Sequence, residues 1–242
     1  MTAPNPPTAR PVPSARRRRL LVAGLVVVAL ATVAWMVSRS PLLDVDRVLV
    51  RGNQHSTVDE VMEAGELSRG EPLVWLDLER ARAGIEALPW VRAARVERAW
   101  PDAVRVTLEE RRAVAWADAG DGRALVVDPS GRVLAIEAQP PSGLPQLLDV
   151  LPAVAVGGSI APSTGARVAG ALEGIVQAST RGIATAPDGR VTLQTASGQE
   201  IRLGRPTHLD DKVRAAVAVL GAPQAAGKVY VDVSAPANPV AG

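Results

Sequence analysis

The sequence predicts an α+β protein with one membrane-spanning helix near its N-terminus and two domains after it. Three observations support this class. The uncharged run Leu20–Val37 is long enough to cross a bilayer. A strand, two helices and two more strands follow over about 65 residues. The rest of the chain, as far as Ser234, consists largely of short strand candidates between Gly, Pro and Asp residues.

The predicted membrane span covers residues 20–38. Four arginines directly precede it: Arg16, Arg17, Arg18 and Arg19. Its apolar residues would extend roughly 27 Å at about 1.5 Å per residue, which is close to the hydrocarbon thickness of a membrane. Two alternatives to a membrane span fit this run less well. A cleaved signal peptide would have a shorter apolar region that ends in a small-residue cleavage site. A buried helix would not be apolar on all sides and flanked by arginines.

The distribution of charge predicts the orientation of this span. The whole chain carries a net charge of +2, but residues 1–39 contain six arginines and no acid, and the remainder carries −4. Because positive flanks stay on the cytoplasmic side, residues 1–19 are predicted to be a disordered cytoplasmic tail and the rest to be extracytoplasmic. A basic head on an acidic body also argues against a nucleic-acid-binding protein.

The first domain follows from local patterns taken in order. A β-branched strand at 45–50 ends in a Gly–Asn turn, and either Ser56 or Thr57 caps the next helix. Asp77 caps a second helix at about Leu78–Ala87. Two further strands occupy 91–98 and 104–108, and the second of these alternates apolar and polar residues.

From Ala113 onwards the pattern predicts a β-rich second domain that contains two helices. The second helix is expected to start at Thr207, with Asp210 as the partner in a capping box. The last strand is Lys228–Ser234, and residues 235–242 are expected to be a flexible tail. The strand candidates are Val114–Trp116, Ala124–Asp128, Val133–Ile136, Ile183–Ala186, Arg190–Thr195 and Glu200–Leu203. The Pro/Gly-rich stretch 137–166 shows no pattern from which its path follows.

Composition excludes several kinds of chemistry. The chain has no cysteine, two histidines, one tyrosine and no phenylalanine, so thiolate metal sites, cysteine nucleophiles and base-stacking surfaces are not expected. No known phosphate-loop, dinucleotide or hydrolase motif occurs. His55 and His208 are expected at a surface or at a helix cap. Adjacent strand residues point to opposite faces, so the pair Glu109–Glu110 cannot converge on one substrate.

The strongest candidate site is the strand near the C-terminus. Val229, Val231 and Val233 alternate with Tyr230 and Asp232, as in a strand with one buried face. A chain-terminal strand often lies at a sheet edge, where its unpaired backbone groups can accept a strand from a partner. Tyr230 either contacts such a partner or packs in the core.

The sequence resembles the FtsQ/DivIB family of bacterial cell-division proteins. The resemblance rests on VDRVLVRGNQHSTVDEV at 45–61 and on the long segment ARAGIEALPWVRAARVERAWPDAVRVTLEERRAVA at 81–115. It continues more weakly through VVDPSGRVL at 126–134, LPQL at 144–147 and YVDVS at 230–234.

This resemblance implies a POTRA domain at 45–112, a β domain at 113–234, no catalysis, and no cofactor or metal. It implies a scaffold in the plasma membrane at the division septum that binds FtsB and FtsL and influences septal peptidoglycan synthesis. Other septal membrane proteins would contact the POTRA domain. In the family, FtsB adds a strand to the last β strand, which here corresponds to Tyr230, Val231, Asp232, Val233 and Ser234. Pro236 and Pro239 would interrupt longer pairing.

Three further expectations complete the prediction. Trp90 and Trp100 flank the strand expected at the centre of the POTRA sheet and are assigned to packing. Arg98, Glu110 and Arg111 are expected on a solvated face, or on a charged surface for another division protein. The alternative functions are a membrane-anchored extracytoplasmic enzyme and a POTRA-type polypeptide-translocation factor, but the first needs a convergent site and the second a long β-barrel sequence.

Overall fold

A long exposed helix opens the structure, a computed structural model that describes residues 15–38, 43–150, 155–172, 174–222 and 227–242. This helix, α1, runs from Ala15 to Ser38. Its segment Arg18–Met36 has a mean hydropathy of 2.2, and none of it is buried against the described residues. Within the described chain it is the one helix long and apolar enough to cross a membrane. It begins inside the predicted tail, whose residues 1–14 lie outside the described part.

The first domain is a three-stranded sheet covered by two helices, as predicted for an α+β unit. Its elements are β1 Arg47–Arg51, α2 Val58–Ala64, α3 Leu78–Ala87, β2 Val91–Ala99 and β3 Ala103–Glu110. The strand order is β1-β3-β2, with β1 parallel and β2 antiparallel to β3. The central strand is therefore β3, and the expectation that the tryptophan-flanked strand β2 is central was wrong.

Local capping chemistry sets where the two helices begin. Of the two candidates for the first cap, Thr57 is used. Its hydroxyl accepts the Glu60 N–H at 3.2 Å, and the Glu60 carboxylate accepts the Thr57 N–H at 2.8 Å, which forms a capping box. The Asp77 carboxylate accepts the Arg80 N–H at 3.0 Å and caps α3 as predicted.

The two helices approach each other closely at Gly84. A Cβ atom added there would lie 2.0 Å from the Ala64 carbonyl oxygen. Any larger residue would force the helices apart. This close approach buries Val61, Ala81 and Ile85 above the sheet.

The second domain is a nine-stranded sheet with helices packed on it. Its strands are β4 Ala115–Asp118, β5 Ala124–Val127, β6 Val133–Glu137, β7 Gln146–Leu147, β8 Thr180–Thr185, β9 Val191–Thr195, β10 Glu200–Gly204, β11 Tyr230–Asp232 and β12 Val240–Ala241. Its described residues form three helices where two were predicted: α4 Thr164–Ala171, α5 Gly174–Ser179 and α6 Leu209–Leu220. The strand order is β12-β11-β10-β9-β8-β7-β4-β5-β6. One apolar cluster, which includes Leu125, Val168, Leu193 and Ile201, fills the space between sheet and helices.

Helix α6 begins differently from the prediction. Its first residue is Leu209, and the preceding His208 adopts a left-handed conformation with φ of 53° and makes no side-chain cap bond. Thr207 lies before this turn, and its N–H donates to the Arg205 carbonyl. The expected capping box between Thr207 and Asp210 is therefore wrong, because the left-handed His208 takes the cap position and the helix begins only at Leu209.

The structure contains two short strands that the sequence did not predict. In the stretch 137–166, β7 runs parallel to both of its neighbours, β4 and β8, while residues 151–154 lie outside the described part. In the predicted tail 235–242, β12 pairs antiparallel with β11. The expectation of a flexible tail was wrong, because backbone pairing to a preceding strand holds these residues.

The two domains meet through a buried ion pair. The Arg111 side chain donates to the Val91 carbonyl in β2 and to Asp128 at 2.8 Å, at the end of β5. The Arg132 side chain donates to the Ala87 carbonyl at 3.1 Å. The side chains of Arg111 and Asp128 are only 20% and 4% exposed. Arg111 therefore joins the domains, and the expectation that it lies on a solvated face was wrong.

Candidate partner-binding edge

The C-terminal side of the nine-stranded sheet consists of three strands. β11 is parallel to β10, with Ile201 opposite Val231, and antiparallel to β12, with Ala241 opposite Val231. The predicted strand Lys228–Ser234 is shorter in the structure, at Tyr230–Asp232. It does not form the edge itself, because β12 lies outside it. That part of the sequence prediction was wrong.

Backbone hydrogen bonds show which groups of this strand point outwards. Tyr230 N–H donates to the Gly242 carbonyl at 3.0 Å, and Gly242 N–H donates to the Tyr230 carbonyl at 3.1 Å. Val229 N–H also donates to the Gly242 carbonyl, at 2.7 Å. In contrast, Val233 N–H points inwards and donates to the Arg202 carbonyl at 3.0 Å. The outward groups at Tyr230 are those that a strand from another chain would use.

The two valines of the predicted site belong to the core. Val231 and Val233 have no exposed surface and pack within the apolar cluster of the domain. A charge at either position would be buried without a partner and would unfold the domain. Charged substitutions there would report folding and not binding.

Tyr230 lies at the surface of the edge and is half-buried. The guanidinium carbon of Arg202 stands 4.2 Å from the centre of its ring, a cation–π arrangement. The ring also covers the last residue, since a Cβ atom on Gly242 would meet its hydroxyl at 2.8 Å. Tyr230 thus packs on the C-terminal strand and not among the apolar residues of the core.

The strand ends at a turn made by Asp232 and Ser234. The Ser234 N–H donates to the Asp232 carboxylate at 2.9 Å, so it does not continue the ladder. Burial alone would raise the pKa of Asp232, but hydrogen bonds from Ser234 and the charges of Arg202 and Lys212 outweigh it and hold the pKa below its ordinary value. The carboxylate is therefore charged at neutral pH.

A buried lysine of α6 bonds to the end of β10, beside this edge. The sequence prediction did not identify it. Lys212 of α6 is 4% exposed, and its ammonium donates to the carbonyls of Leu203 at 2.8 Å and Arg205 at 2.7 Å. Burial lowers the pKa of Lys212, while the charge of Asp232 opposes that shift. Its spacing from Leu209 and Ala216 on one helical face is the sequence signal that could have identified it.

Of the residues considered for chemistry, His55, Glu109 and Glu110 lie in the first domain, apart from this edge. His55 stacks on Trp90 with ring centres 3.8 Å apart, and its Nδ1 lies 3.0 Å from the Glu110 carboxylate. Glu109 pairs with Arg92, away from Glu110. His208 precedes α6. Among the described residues no group of three or more His, Cys, Asp or Glu side chains could hold a metal ion.

Three of the other singled-out residues of the first domain, Arg98, Glu110 and Trp90, have structural partners. Arg98 donates to the Leu73 carbonyl at 2.7 Å and to the Leu76 carbonyl at 2.6 Å. Glu110 is 8% exposed. Neither lies on a solvated face as expected. Trp90 packs on His55, as the packing assignment required, but Trp100 is 56% exposed and does not.

Two protein-family models match the chain, one on each domain. Residues 43–111 match the FtsQ-type POTRA domain, and residues 115–234 match the C-terminal domain of the cell division protein FtsQ/DivIB. The first match covers the three-stranded sheet with its helices. The second ends at Ser234, before β12.

Curated relatives extend this likeness over almost the whole chain. A cell division protein FtsQ from Anaeromyxobacter sp. (strain K) is 33% identical over 90% of this chain and 79% of its own length. One from Streptomyces collinus is 30% identical over 97% of this chain and 91% of its own length. Among solved structures, the major extracytoplasmic domain of DivIB from Geobacillus stearothermophilus matches 50% of this chain and 99% of its own, at 19% identity and a TM-score of 0.35.

Proposed function

The chain belongs to the FtsQ/DivIB family of bacterial cell division proteins, and from this premise we propose that it is a non-catalytic scaffold of the division machinery. It links early and late division proteins and helps to control septal peptidoglycan synthesis. Its partners are FtsB- and FtsL-type membrane proteins, with other septal membrane proteins at the POTRA domain. The observation that carries the proposal is the sheet edge at Tyr230, where a two-residue strand covers the outward backbone groups.

The proposed topology is bitopic, with α1 in the plasma membrane at the septum. The arginines Arg16–Arg19 stand on its N-terminal side, and Asp44 and Asp46 follow it. This asymmetry supports a cytoplasmic N-terminus. We propose domain limits of 45–112 for the POTRA domain and 113–234 for the β domain, which agree with the separate apolar clusters of the two sheets.

The proposed binding mode is addition of an FtsB-type strand beside Tyr230–Ser234. Two residue pairs connect β12 to β11, and each backbone hydrogen bond contributes only about 1 kcal/mol net, so a longer partner strand can displace β12. The partner would then use the outward N–H and carbonyl of Tyr230. Beyond Ser234 the chain turns away, which limits the length of the site.

A proline at Tyr230 tests this function. Tyr230→Pro removes the outward N–H that now donates to Gly242, while the inward bond of Val233 stays intact. Tyr230→Ala keeps the backbone donor and removes the ring, so the two variants separate backbone pairing from side-chain contact. We expect Tyr230→Pro to lose co-purification with FtsB and Tyr230→Ala to retain most of it.

The same pair of variants can be tested in cells depleted of the native protein. We expect depletion to give filamentous cells, full-length wild type and Tyr230→Ala to restore septation, and Tyr230→Pro to fail despite normal levels in the membrane. Normal division after depletion would contradict the scaffold role. Equal FtsB capture by both variants would contradict strand addition at this site.

Deletion of the C-terminal strand gives an independent prediction. If β12 must leave before FtsB binds, a chain that ends at Pro236 should bind FtsB more tightly than the full chain, because the competing strand is gone. Titration of labelled FtsB peptide against both proteins in detergent measures this. Weaker binding by the shortened chain would mean that the partner adds to β12 itself, contrary to the displacement mode.

A further inference from the structure

Two tryptophans are exposed on loops of the POTRA domain. Trp75 is 64% exposed and Trp100 is 56% exposed, whereas Trp90 stacks on His55. Large aromatic side chains usually bury most of their surface. The described residues leave most of both rings exposed. Both rings are therefore accessible to a partner outside the domain.

Both loops lie at the same end of the three-stranded sheet. At this end β1 and β3 begin and β2 ends, because β1 is parallel and β2 antiparallel to β3. Trp100 begins the turn between β2 and β3, whose Asp102 carbonyl accepts the N–H groups of Asp46 at 2.9 Å and Arg47 at 3.2 Å. The start of the domain therefore touches the loop that carries Trp100.

The loop with Trp75 also contacts the start of the domain, the residues just before β1. Leu73 N–H donates to the Leu43 carbonyl at 2.8 Å, and Asp44 forms an isolated bridge with Pro72. Arg98, near the end of β2, donates to the carbonyls of Leu73 and Leu76. The two tryptophan loops are thus tied to each other and to the first described residues after α1.

Chain length places this end of the domain near the membrane. Helix α1 ends at Ser38, and the chain between Ser38 and Leu43 can extend at most about 18 Å. The opposite end of the sheet, at Arg51 and Glu110, leads into the second domain through Arg111. With α1 in the membrane as proposed, the end that carries Trp75 and Trp100 is therefore the end of the domain closest to the bilayer.

We infer that Trp75 and Trp100 insert into the headgroup region of the outer leaflet and hold the POTRA domain against the lipid surface. This inference rests on the proposed membrane anchoring and orientation of α1. Tryptophan is enriched at membrane–water interfaces, because its ring is largely apolar and its N–H can bond to headgroups. The occupant of this surface is the bilayer itself.

The charges around the two rings indicate whether the contact needs anionic lipid headgroups. At this end of the domain the four acids Asp44, Asp46, Glu71 and Asp102 outnumber the arginines Arg47, Arg69 and Arg98, and Arg47 is paired with Asp102 at 2.7 Å. This end carries no excess of positive charge that would select anionic headgroups. The contact should therefore form on zwitterionic phosphatidylcholine.

Fluorescence quenching by brominated lipid tests the contact on the full chain. The chain carries Trp35→Phe, which removes the tryptophan of the span, and is reconstituted into phosphatidylcholine vesicles brominated near the headgroup end of the acyl chains. We expect bromination to quench part of the emission. In W35F/W75F/W100F, where only Trp90 and Trp116 emit, we expect most of that quenching to disappear. W35F/W116F is the matched control and should keep it.

Flotation of the vesicles at alkaline pH separates this inference from the one on which it depends. A W35F chain that floats with the vesicles but shows no bromine quenching would overturn the tryptophan contact alone. Equal quenching in W35F and W35F/W75F/W100F would do the same. A chain that does not float would overturn the anchor and the contact together.

Discussion

Replacing Asp128 by alanine should destabilise the protein by about 3 kcal/mol and loosen the joint between its two domains. The Asp128 side chain is 4% exposed and pairs with Arg111 at 2.8 Å. Its other oxygen accepts the Ser130 hydroxyl at 2.6 Å and the N–H groups of Ser130 and Arg132. The alanine variant leaves the Arg111 charge half-buried without its partner, and that accounts for the size of the effect.

The charge state of Asp128 supports this expectation. Burial alone would raise its pKa, but hydrogen bonds from Ser130, Arg111 and Arg132 outweigh burial and keep the pKa below its ordinary value. The carboxylate is therefore ionised at neutral pH. Urea unfolding of the full chain in detergent, followed by tryptophan emission, measures the loss of stability.

A distance measurement reports the joint directly. Because the chain has no cysteine, single cysteines at exposed Glu63 and Arg181 allow spin labels in the two domains. The distance distribution should be narrow in wild type and broad in Asp128→Ala. Asp188→Ala is the control, since Asp188 also pairs with an arginine, Arg190, but is 45% exposed. Similar results for both variants would contradict a role for the buried pair.

Replacing Glu110 by glutamine should remove about 3 kcal/mol of stability at neutral pH and flatten the acid dependence of unfolding. The carboxylate accepts the N–H groups of His55 at 2.9 Å and Ser56 at 3.0 Å, and the His55 ring lies at 3.0 Å. Burial by itself would raise the pKa, but these bonds, with one from Gln54, outweigh it and lower the pKa of Glu110 to about 2.

The sign of the pH effect follows from the lowered pKa. A carboxylate with a folded pKa below its unfolded value of 4.5 contributes fully above 4.5, and the contribution is lost as the pH falls from 4.5 towards 2. Wild type should therefore lose stability over this window more steeply than Glu110→Gln. Glu109→Gln is the matched control, because Glu109 is 55% exposed and pairs with Arg92. Parallel acid curves for wild type and Glu110→Gln would contradict the assignment.

The elements that could be predicted are those specified by neighbouring residues. The boundaries of α3 follow from the Asp77 cap and from the apolar face at Ala81 and Ile85, and the structure has them at Leu78–Ala87. The apolar helix α1 follows from one uncharged run. In each case the signal and the structure it produces involve the same short stretch of chain.

The features that were missed depend on contacts between distant residues. Ala235–Gly242 contains two prolines and reads as a tail, but β12 forms because β11 offers it unpaired backbone groups. Trp90 and Trp100 are the same residue type at the two ends of β2. Trp90 stacks on His55, whereas Trp100 is exposed. Pairing partners and burial are not encoded at the position itself.

At the candidate site, too, some features were predictable from local sequence and others depended on contacts between distant residues. The alternation of Val231 and Val233 with Tyr230 and Asp232 predicted a strand with one buried face, and both valines are fully buried. The sequence alone thus determined the apolar N-terminal helix, the elements of the first domain and the class of fold, because these depend on hydrophobic periodicity and local caps. Only the tertiary structure decided that β12 covers this strand, that Lys212 supports it and that Arg111 joins the domains. Those contacts form only when folding brings distant segments together, and their free energy comes from the burial that results.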